Sequence, residues 1–174
     1  DRHGIGLLLD ESIETNIVVT AQQSQNKFLI SYLPFLSFKD NESIRQHTKK
    51  MIEELDIRCV NAHQPVRRLS GGNQQKVCIA RAITLSPDIL FVSEPTRGID
   101  IGAKRIVLDL LLKLNRELGV TIIMTSSELA ELRLVCDRIA IIYEGKLEGM
   151  LRPTSSDLEF GLMMAGEYQQ RGGL

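Results

Sequence analysis

The chain contains the stretch Leu69-Ser70-Gly71-Gly72-Asn73-Gln74-Gln75-Lys76, in which a Ser-Gly-Gly turn leads into a Gln-rich helix start. In such a turn a serine hydroxyl and the unpaired N–H groups of the first helical turn point at one spot. Two glycines let an anion approach the backbone without a Cβ in the way, and the helix dipole adds about half a positive charge. The stretch therefore predicts a helix start that is either a phosphate-binding turn or an ordinary cap.

A second pattern is Ile89-Leu90-Phe91-Val92-Ser93-Glu94-Pro95-Thr96-Arg97-Gly98-Ile99-Asp100. Its apolar run is too short for a helix and ends in a carboxylate, which predicts a buried parallel strand with Glu94 at its carboxyl end. Doubly wound sheets bind their ligands at that end of the strands. From Leu69 onward helices and strands alternate, so we predict an α/β fold with a parallel sheet flanked by helices.

Two helices are predicted from apolar periodicity. One covers 41–57 behind the candidate cap Asp40, and its apolar positions are Ile44, Thr48, Met51, Ile52 and Leu55. The other covers 103–118 and stops at Gly119, with a broad face of Ile106, Val107, Leu110, Leu111, Leu114 and Leu118. A helix with one apolar face packs that face on a core, so both are expected to be surface helices of a folded domain.

Composition limits the class of protein. The 174 residues are 43% hydrophobic and 25% charged, which is enough for one sizeable core and a small satellite subdomain. With 21 basic and 22 acidic residues the net charge is −1, so no broad basic field for nucleic acid or anionic lipid is expected. Cys59, Cys78 and Cys136 are odd in number and far apart, which favours reduced thiols over disulfides or a zinc site.

These motifs together resemble those of the ATPase subunit of ABC transporters. Leu69 to Gln75 is similar to the family's signature motif, Ile89 to Glu94 to its Walker B strand, and Gly98-Ile99-Asp100 to its D-loop. The segment Thr121 to Leu129 resembles the next strand and its switch, where Ser127 replaces the usual histidine. Asp137 to Lys146 resembles the closing strand and its hairpin.

The forms of the signature and the D-loop, Asn-Gln-Gln-Lys and Thr-Arg-Gly-Ile-Asp, resemble those of importers of simple sugars and nucleosides. In that branch two ATPase halves are fused, a Ser-Ser-Glu switch is characteristic of the second half, and Asp1 through Asn16 resembles the segment after its Q-loop. No Gly-x-x-x-x-Gly-Lys-Ser/Thr occurs in the sequence, so the Walker A part is missing. We therefore expect a C-terminal fragment of one nucleotide-binding domain, inactive in isolation.

The resemblance implies a partial P-loop NTPase domain with three regions. These are an α-helical subdomain region after the Q-loop (1–68), an α/β core with the signature helix, Walker B, D-loop and switch (69–166), and a flexible tail (167–174). Within the first region, Phe28 to Phe38 concentrates aromatic residues. This segment either packs in the core of the helical subdomain or forms an apolar groove that receives a permease helix.

Roles for individual residues follow from the resemblance. Glu94 is expected to be the general base that orients the attacking water, with Ser127 at the switch position that reaches the γ-phosphate. Asp100, in the D-loop with Gly98, either makes a contact across the dimer or only caps the next helix. A side chain added at position 72 is expected to face an open interface. The signature residues are expected to bind ATP held by the opposite half, and they are Leu69, Ser70, Gly71, Gly72, Asn73 and Gln74.

Two departures from the family pattern are expected to weaken the site on this half. The aspartate that normally holds magnesium through its water shell is Ser93 here, a degenerate Mg²⁺ position. The histidine is Ser127, and loss of a charge-assisted hydrogen bond costs about 1.5–3 kcal/mol. We therefore expect a slow or silent site here, while the signature turn still completes the site of the partner half.

The implied function is that of one half of the ATP-hydrolysing motor of a sugar or nucleoside importer, with ATP and Mg²⁺ as cofactors. The expected partners are a second ATPase half in a head-to-tail dimer, a transmembrane permease and an extracytoplasmic solute-binding protein, with no nucleic acid. The expected location is the cytoplasmic face of the inner membrane. Two alternatives stay open: a soluble ABC ATPase that acts on ribosomes or DNA, and a degenerate half that only completes its partner's ATP site.

Overall fold

The computed structural model describes residues 6–33 and 36–168, so the opening residues 1–5 and most of the expected tail lie outside it. The described residues form six helices and six strands, with a short 3₁₀ helix at Val66–Arg68. The helices are α1 (Ile13–Gln25), α2 (Asn41–Glu54), α3 (Gly71–Ile83), α4 (Ile101–Leu118), α5 (Leu129–Val135) and α6 (Asp157–Met164). The strands are β1 (Leu29–Leu33), β2 (Leu36–Lys39), β3 (Ile89–Ser93), β4 (Thr121–Thr125), β5 (Ile139–Tyr143) and β6 (Lys146–Leu151).

The strands β3 and β4 pair with each other and are joined by α4. The Thr121 N–H donates to the Asp88 carbonyl at the start of both strands, and the Glu94 N–H donates to the Thr125 carbonyl at their ends, each at 2.9 Å. Partners that advance together along both strands define a parallel pair. The predicted α/β class with a parallel strand pair and a helical crossover is therefore confirmed.

Two units are defined by the contacts of the chain, and each has its own core. The first unit comprises Asp1–Phe91 and Pro95–Ile123, with α1 packed on α2 and α3 and with fully buried Ile13, Ile17, Val66, Val77 and Val107. The second comprises Val92–Glu94 and Met124–Leu174, where the antiparallel hairpin β5–β6 packs on α6. Its apolar core is formed by the buried side chains of Ile139, Ile141, Leu151, Phe160 and Met163.

The two helices predicted from periodicity are present. The Ser43 N–H donates to Asp40 Oδ1 at 3.1 Å, which confirms the predicted cap of α2. This helix ends at Glu54, earlier than predicted, and Asp56 then takes the left-handed φ of 47°. The helix α4 ends at Leu118, and Gly119 is its C-cap, as predicted.

The apolar face predicted for α4 needs one correction. Four of its six members are buried, but Ile106 is 47% exposed and Leu118 is 62% exposed. Leu108, which was not assigned to that face, is 3% exposed. The buried stripe is therefore displaced around the helix, away from Ile106 and toward Leu108, and its members are Val107, Leu108, Leu110, Leu111 and Leu114.

A β-hairpin lies within the region that was predicted to be mostly helical. Strands β1 and β2 pair antiparallel, and the Ser31 and Ser37 hydroxyls bond at 2.9 Å across the pair. All four residues of β2 are exposed, so the prediction that the aromatic segment packs in a core is wrong for this strand. Pro34 and Phe35, which belong to that segment, lie outside the described residues.

Strand β3 is less buried than its apolar sequence predicts. Phe91 is 75% exposed and Ile89 is 52% exposed, while Ile123 of β4 is 46% exposed. The prediction of a buried strand assumed layers on both faces of the sheet. Within the part of the chain that the structure describes, these positions lack such a cover.

The three cysteines are free, and burial raises the pKa of the Cys78 thiol. Of the helices in residues 6–33 and 36–168, none has both the length and the apolar character that crossing a membrane requires.

Candidate functional site

The signature turn is an N-capped helix start. Ser70 precedes α3 with extended φ and ψ of −62° and 158°, and its hydroxyl oxygen accepts the Asn73 N–H at 3.5 Å. The same oxygen accepts the side-chain Nδ2–H of Asn73 at 3.0 Å. Ser70 itself is exposed, so its hydroxyl group lies at the open end of the α3 dipole.

Asn73 also connects the turn to the loop that follows α2. Its Oδ1 accepts the backbone N–H of Arg58 at 2.9 Å. One helical turn further on, the buried Lys76 donates to the Asp56 carbonyl, and its Nζ lies 3.2 Å from Asp56 Oδ2. The loop is therefore fixed to α3 at two points, by Asn73 and by Lys76.

Gln74 and Leu69 support the turn from its inner side. Gln74 is 7% exposed, and its Nε2 donates to the carbonyls of Leu69 at 3.2 Å and Val66 at 3.4 Å. Leu69 is also 7% exposed. These two residues hold the 3₁₀ helix before the turn, which fixes the direction from which the chain enters α3.

Gly72 lies against α4, which overturns the expectation that position 72 faces an open interface. Gly72 is buried, and a Cβ built on it would be 2.9 Å from the Cβ of Ala103. Real Cβ atoms do not approach each other this closely, so only glycine allows the two helices to cross here. A larger side chain at this position would disturb the helix packing as well as the surface.

Two concavities flank the turn. One is a cavity of about 250 Å³ lined by residues that include Arg58, Ser70, Asn73, Lys76 and Asp100. The other, of about 440 Å³, is lined by Arg58, Arg68, Ser70 and Asn73 among others. Hydroxyl and amide donors beside two arginines at a helix N-terminus favour an anionic ligand.

The D-loop leads directly into α4. Gly98 has a φ of 70°, a left-handed conformation that glycine adopts without a steric penalty. Asp100 is the N-cap of α4, since its Oδ1 accepts the Ala103 N–H at 2.9 Å. Of the two roles left open for Asp100, the helix cap is the one that the structure shows.

In the second unit, the structure brings Glu94 and Ser127 together. The carboxylate of Glu94 accepts the Ser127 N–H at 2.8 Å, and the Ser127 hydroxyl lies 3.3 Å from its other oxygen. Glu94 has a φ of 47°, an unusual conformation for a residue with a side chain. The switch segment therefore fixes both oxygens of the candidate base.

The hydroxyl of Ser93 is held by the next strand, since Thr125 Oγ1 donates to Ser93 Oγ at 3.1 Å. Among the residues that the structure describes, no group of three or more His, Cys, Asp or Glu side chains is placed to hold a metal ion. A neutral hydroxyl is a weak ligand for Mg²⁺, which prefers carboxylates and phosphates. Ser93 therefore offers Mg²⁺ no carboxylate.

The sequence did not reveal the links from Asn73 to Arg58 and from Lys76 to Asp56. One signal was present, because Asn73 and Lys76 lie three residues apart and therefore on one face of α3. Their partners in the loop after α2 could not be chosen from spacing alone.

Comparisons with known proteins identify the family. The ABC transporter family model matches residues 7–97, just over half of the chain. The nucleoside import ATP-binding protein NupA of Lactococcus lactis subsp. cremoris (strain MG1363) is 40% identical over 167 residues, which cover 95% of this chain and 32% of that protein. The ribose import ATP-binding protein RbsA of Bacillus cereus (strain ZK / E33L) is 38% identical over 165 residues, again 95% and 32%.

The guanosine import ATP-binding protein NupO of Bacillus subtilis (strain 168) is 38% identical over 174 residues, which cover 99% of this chain and 33% of that protein. This chain belongs to the ABC transporter family. It spans about a third of the length of these relatives.

Solved structures share the fold. A dimeric ATP-binding cassette in a post-hydrolysis state, bound to ADP and Pi, has a TM-score of 0.66 at 23% identity, over 86% of this chain and 60% of that one. A protein from Clostridium perfringens, part of an ABC transporter complex, has a TM-score of 0.65 at 22% identity, over 94% and 59%. The chain therefore has the P-loop NTPase fold of ABC ATPases.

Proposed function

We propose that this chain is the signature- and Walker B-bearing part of an ATP-hydrolysing subunit that powers import of a simple sugar or a nucleoside. The observation that carries the proposal is the exposed Ser70 hydroxyl at the N-terminus of α3, between two concavities that Arg58 lines. Relatives named as nucleoside, ribose and guanosine import ATP-binding proteins support the substrate class.

In this proposal the signature turn binds an ATP molecule held by a second ATPase half. The Ser70 hydroxyl and the N–H groups of the first turn of α3 approach the γ-phosphate, and Asn73 lies beside them. Leu69 and Gln74 keep the turn in place through their buried contacts, and Gly72 permits the close crossing with α4. Preorganised donors of this kind stabilise the charge that develops during hydrolysis.

Glu94 is proposed as the base that orients the attacking water on the site of this half. Ser127 holds the Glu94 carboxylate through one backbone and one hydroxyl hydrogen bond. A serine hydroxyl reaches less far than a histidine ring, and Ser93 supplies no carboxylate. We infer that hydrolysis at this site is slow, so that the main contribution of this half is to complete the site of its partner.

The proposed assembly follows from the family. A second ATPase half would form a head-to-tail dimer with this one at the cytoplasmic face of the inner membrane, and a transmembrane permease would use the closure of the dimer. A solute-binding protein would deliver the substrate, and ATP would arrive with Mg²⁺. The Walker A loop would be supplied by a part of the domain beyond this sequence.

The test is Ser70→Ala in the complete ATPase. Removal of one transition-state donor lowers turnover by about 10²–10³-fold in other enzymes, and we expect a loss of that order. Ser24→Ala is the matched control, because Ser24 is an exposed serine of α1 that bonds only to the Thr20 carbonyl in its own helix. Turnover of Ser70→Ala equal to that of the control would refute the assignment of this turn to ATP.

A half without chemistry of its own is the second candidate. It is favoured by the pairing of Ser93 with Thr125 and of Ser127 with Glu94, which leaves hydroxyl groups where the family has a carboxylate and an imidazole ring. The two candidates differ in the effect of Glu94→Gln on ATP turnover, which is a small loss for a slow site and no loss for a half without chemistry.

A further inference from the structure

The hydrogen-bond partners of the Asn73 side chain show which end of its amide is the oxygen and which is the nitrogen. A backbone N–H can only donate, so the Asn73 atom that lies 2.9 Å from the Arg58 nitrogen must be the amide oxygen. The other end of the amide is then the NH₂ group, and it lies 3.0 Å from Ser70 Oγ. Asn73 is therefore an acceptor toward the loop and a donor toward the signature serine.

This arrangement determines where the hydroxyl hydrogen of Ser70 points. A serine oxygen has two lone pairs and one hydrogen. Both of its bonds to Asn73, from the backbone N–H and from the side-chain NH₂, occupy lone pairs. The remaining O–H bond is directed away from Asn73, so it is available to donate to an anion at the helix N-terminus.

The hydrogen bonds also run in one direction, from the Arg58 N–H to Asn73 and from Asn73 to Ser70. Aligned hydrogen bonds polarise one another, which strengthens the last donor in this series of hydrogen bonds, the Ser70 hydroxyl. The first donor, the Arg58 N–H, is held in place because the buried Lys76 fixes Asp56, two residues before it. The loop after α2 therefore sets the direction of the Ser70 hydroxyl.

We propose that Asn73 is a positioning residue that acts through Ser70: it orients the serine O–H toward the γ-phosphate and transmits the position of the Asp56–Arg58 loop to the ATP site. The proposal rests on the assignment of the signature turn to ATP made above. It differs from direct ATP binding by Asn73, because the effect of Asn73 is then expected to require the Ser70 hydroxyl.

The test is a double-mutant cycle in the complete ATPase, with the concentration of Mg·ATP at half-maximal turnover as the readout. Asn73→Ala is expected to raise this concentration about fivefold to tenfold, the range for loss of an oriented hydrogen bond. In a Ser70→Ala background the same substitution is expected to have no further effect. Gln46→Ala is the control, since it removes an exposed amide that bonds to Glu42 on α2.

Asn73→Asp separates orientation from structure. An aspartate accepts the Arg58 N–H as asparagine does, but its second oxygen also accepts, so the Ser70 hydrogen turns inward. An acidic side chain in the first turn of a helix is favourable, so the melting temperature is expected to be unchanged or higher while the affinity for ATP falls. The part of that loss that persists in the Ser70→Ala background measures charge repulsion alone.

The outcomes are distinguishable. If Ser70→Ala impairs turnover but Asn73→Ala acts equally in both backgrounds, the positioning role is wrong and the proposed function stands. If Asn73→Ala has no effect, the positioning role is wrong as well. If Ser70→Ala has no effect, the turn does not bind ATP, and both proposals are overturned. If Asn73→Ala does not fold, Asn73→Asp replaces it. The positioning role is then wrong if Asn73→Asp lowers the affinity for ATP equally with and without the Ser70 hydroxyl.

Discussion

Gly72 shows how one residue serves both packing and the site. It lies two residues after the exposed Ser70, but it is itself buried against Ala103 of α4, and the separation leaves no room for a Cβ. From the sequence, this glycine was expected to let an anion approach the backbone. The structure adds a second reason for glycine, the close crossing of α3 and α4. Substitution at 72 therefore tests stability before it tests function.

We expect Gly72→Ala to lower the free energy of unfolding by about 1–3 kcal/mol, the range for an overpacked contact. Ala103→Gly in the same chain removes the opposing Cβ and is expected to recover part of that loss. Gly161→Ala is the contrasting control, because a Cβ at this helical glycine meets no atom within 4 Å. It should raise stability by about 0.5–1 kcal/mol.

Denaturant unfolding of the four chains measures these differences. A Gly72→Ala chain as stable as the parent would show that α3 and α4 separate at no cost.

The effect of Glu94→Gln on ATP turnover tests whether Ser127 slows the site on this half. If the site on this half is slow, Glu94→Gln should reduce ATP turnover of the complete protein much less than the matching change in the other half. A general base matters only where chemistry contributes to the observed rate. Steady-state ATP hydrolysis in reconstituted membranes compares the two variants.

A gain-of-function version of the same comparison uses Ser93→Asp together with Ser127→His. We expect the pair to raise hydrolysis at this site and neither change alone to suffice, because metal placement and γ-phosphate stabilisation act as a unit. Equal losses from both glutamine variants would contradict the slow-site interpretation.

At the scale of the element, α6 has a capping box that depends on pH. The hydrogen bond from the Ser156 N–H, and then that from the Ser156 hydroxyl, lowers the pKa of Glu159. A carboxyl group whose pKa is lower in the folded state stabilises the fold at neutral pH. This contribution is lost as the pH falls below the ordinary pKa of a glutamate and through the lowered value.

Glu159→Gln should therefore make the thermal stability of the second unit less sensitive to pH on the acid side. The amide keeps the length of the side chain and still accepts a hydrogen bond, but it has no charge to lose. Melting curves between about pH 3 and pH 7 compare this variant with the parent. Parallel pH profiles for the two chains would show that the box contributes no linkage.

The helices α2 and α4 could be predicted because each has a capping aspartate and an apolar period that spans several turns. The hairpin β1–β2 could not, because its strands are short and all of β2 is exposed, so no buried face imposes an alternating pattern. Exposure of Ile106 was missed since periodicity finds a helix face without fixing which residues stand at its edges.

At the scale of the whole molecule, the strand pair β3 and β4 exposes several apolar side chains. Phe91 and Ile89 are exposed on β3, which the sequence predicts to be buried, and Ile123 is exposed on the neighbouring strand β4. Apolar side chains at this exposure are typical of surfaces that contact further protein.

We expect this chain by itself to bind Mg·ATP no more tightly than millimolar. A phosphate loop normally supplies most of the backbone donors to a nucleotide, and the sequence contains none. Calorimetric titration of the chain measures the affinity, and a micromolar dissociation constant would show that the nucleotide binds through residues not considered for it.

The candidate site was predictable to the extent that it depends on local motifs. The N-cap at Ser70 and the position of Glu94 at the end of β3 follow from a few consecutive residues. The contact between Gly72 and Ala103 and the link between Asn73 and Arg58 join segments far apart in sequence, and a single sequence contains no measure of such distances.

The left-handed backbone of Glu94 has a consequence for directed evolution. A residue with a Cβ in this conformation costs about 1–2 kcal/mol relative to its ordinary conformations, and glycine avoids that cost. A library screened only for resistance to heat should therefore accumulate glycine or asparagine at position 94. A library screened for transport should keep glutamate wherever this carboxylate is needed, so the two selections would disagree at this position and show which of the two demands has shaped it.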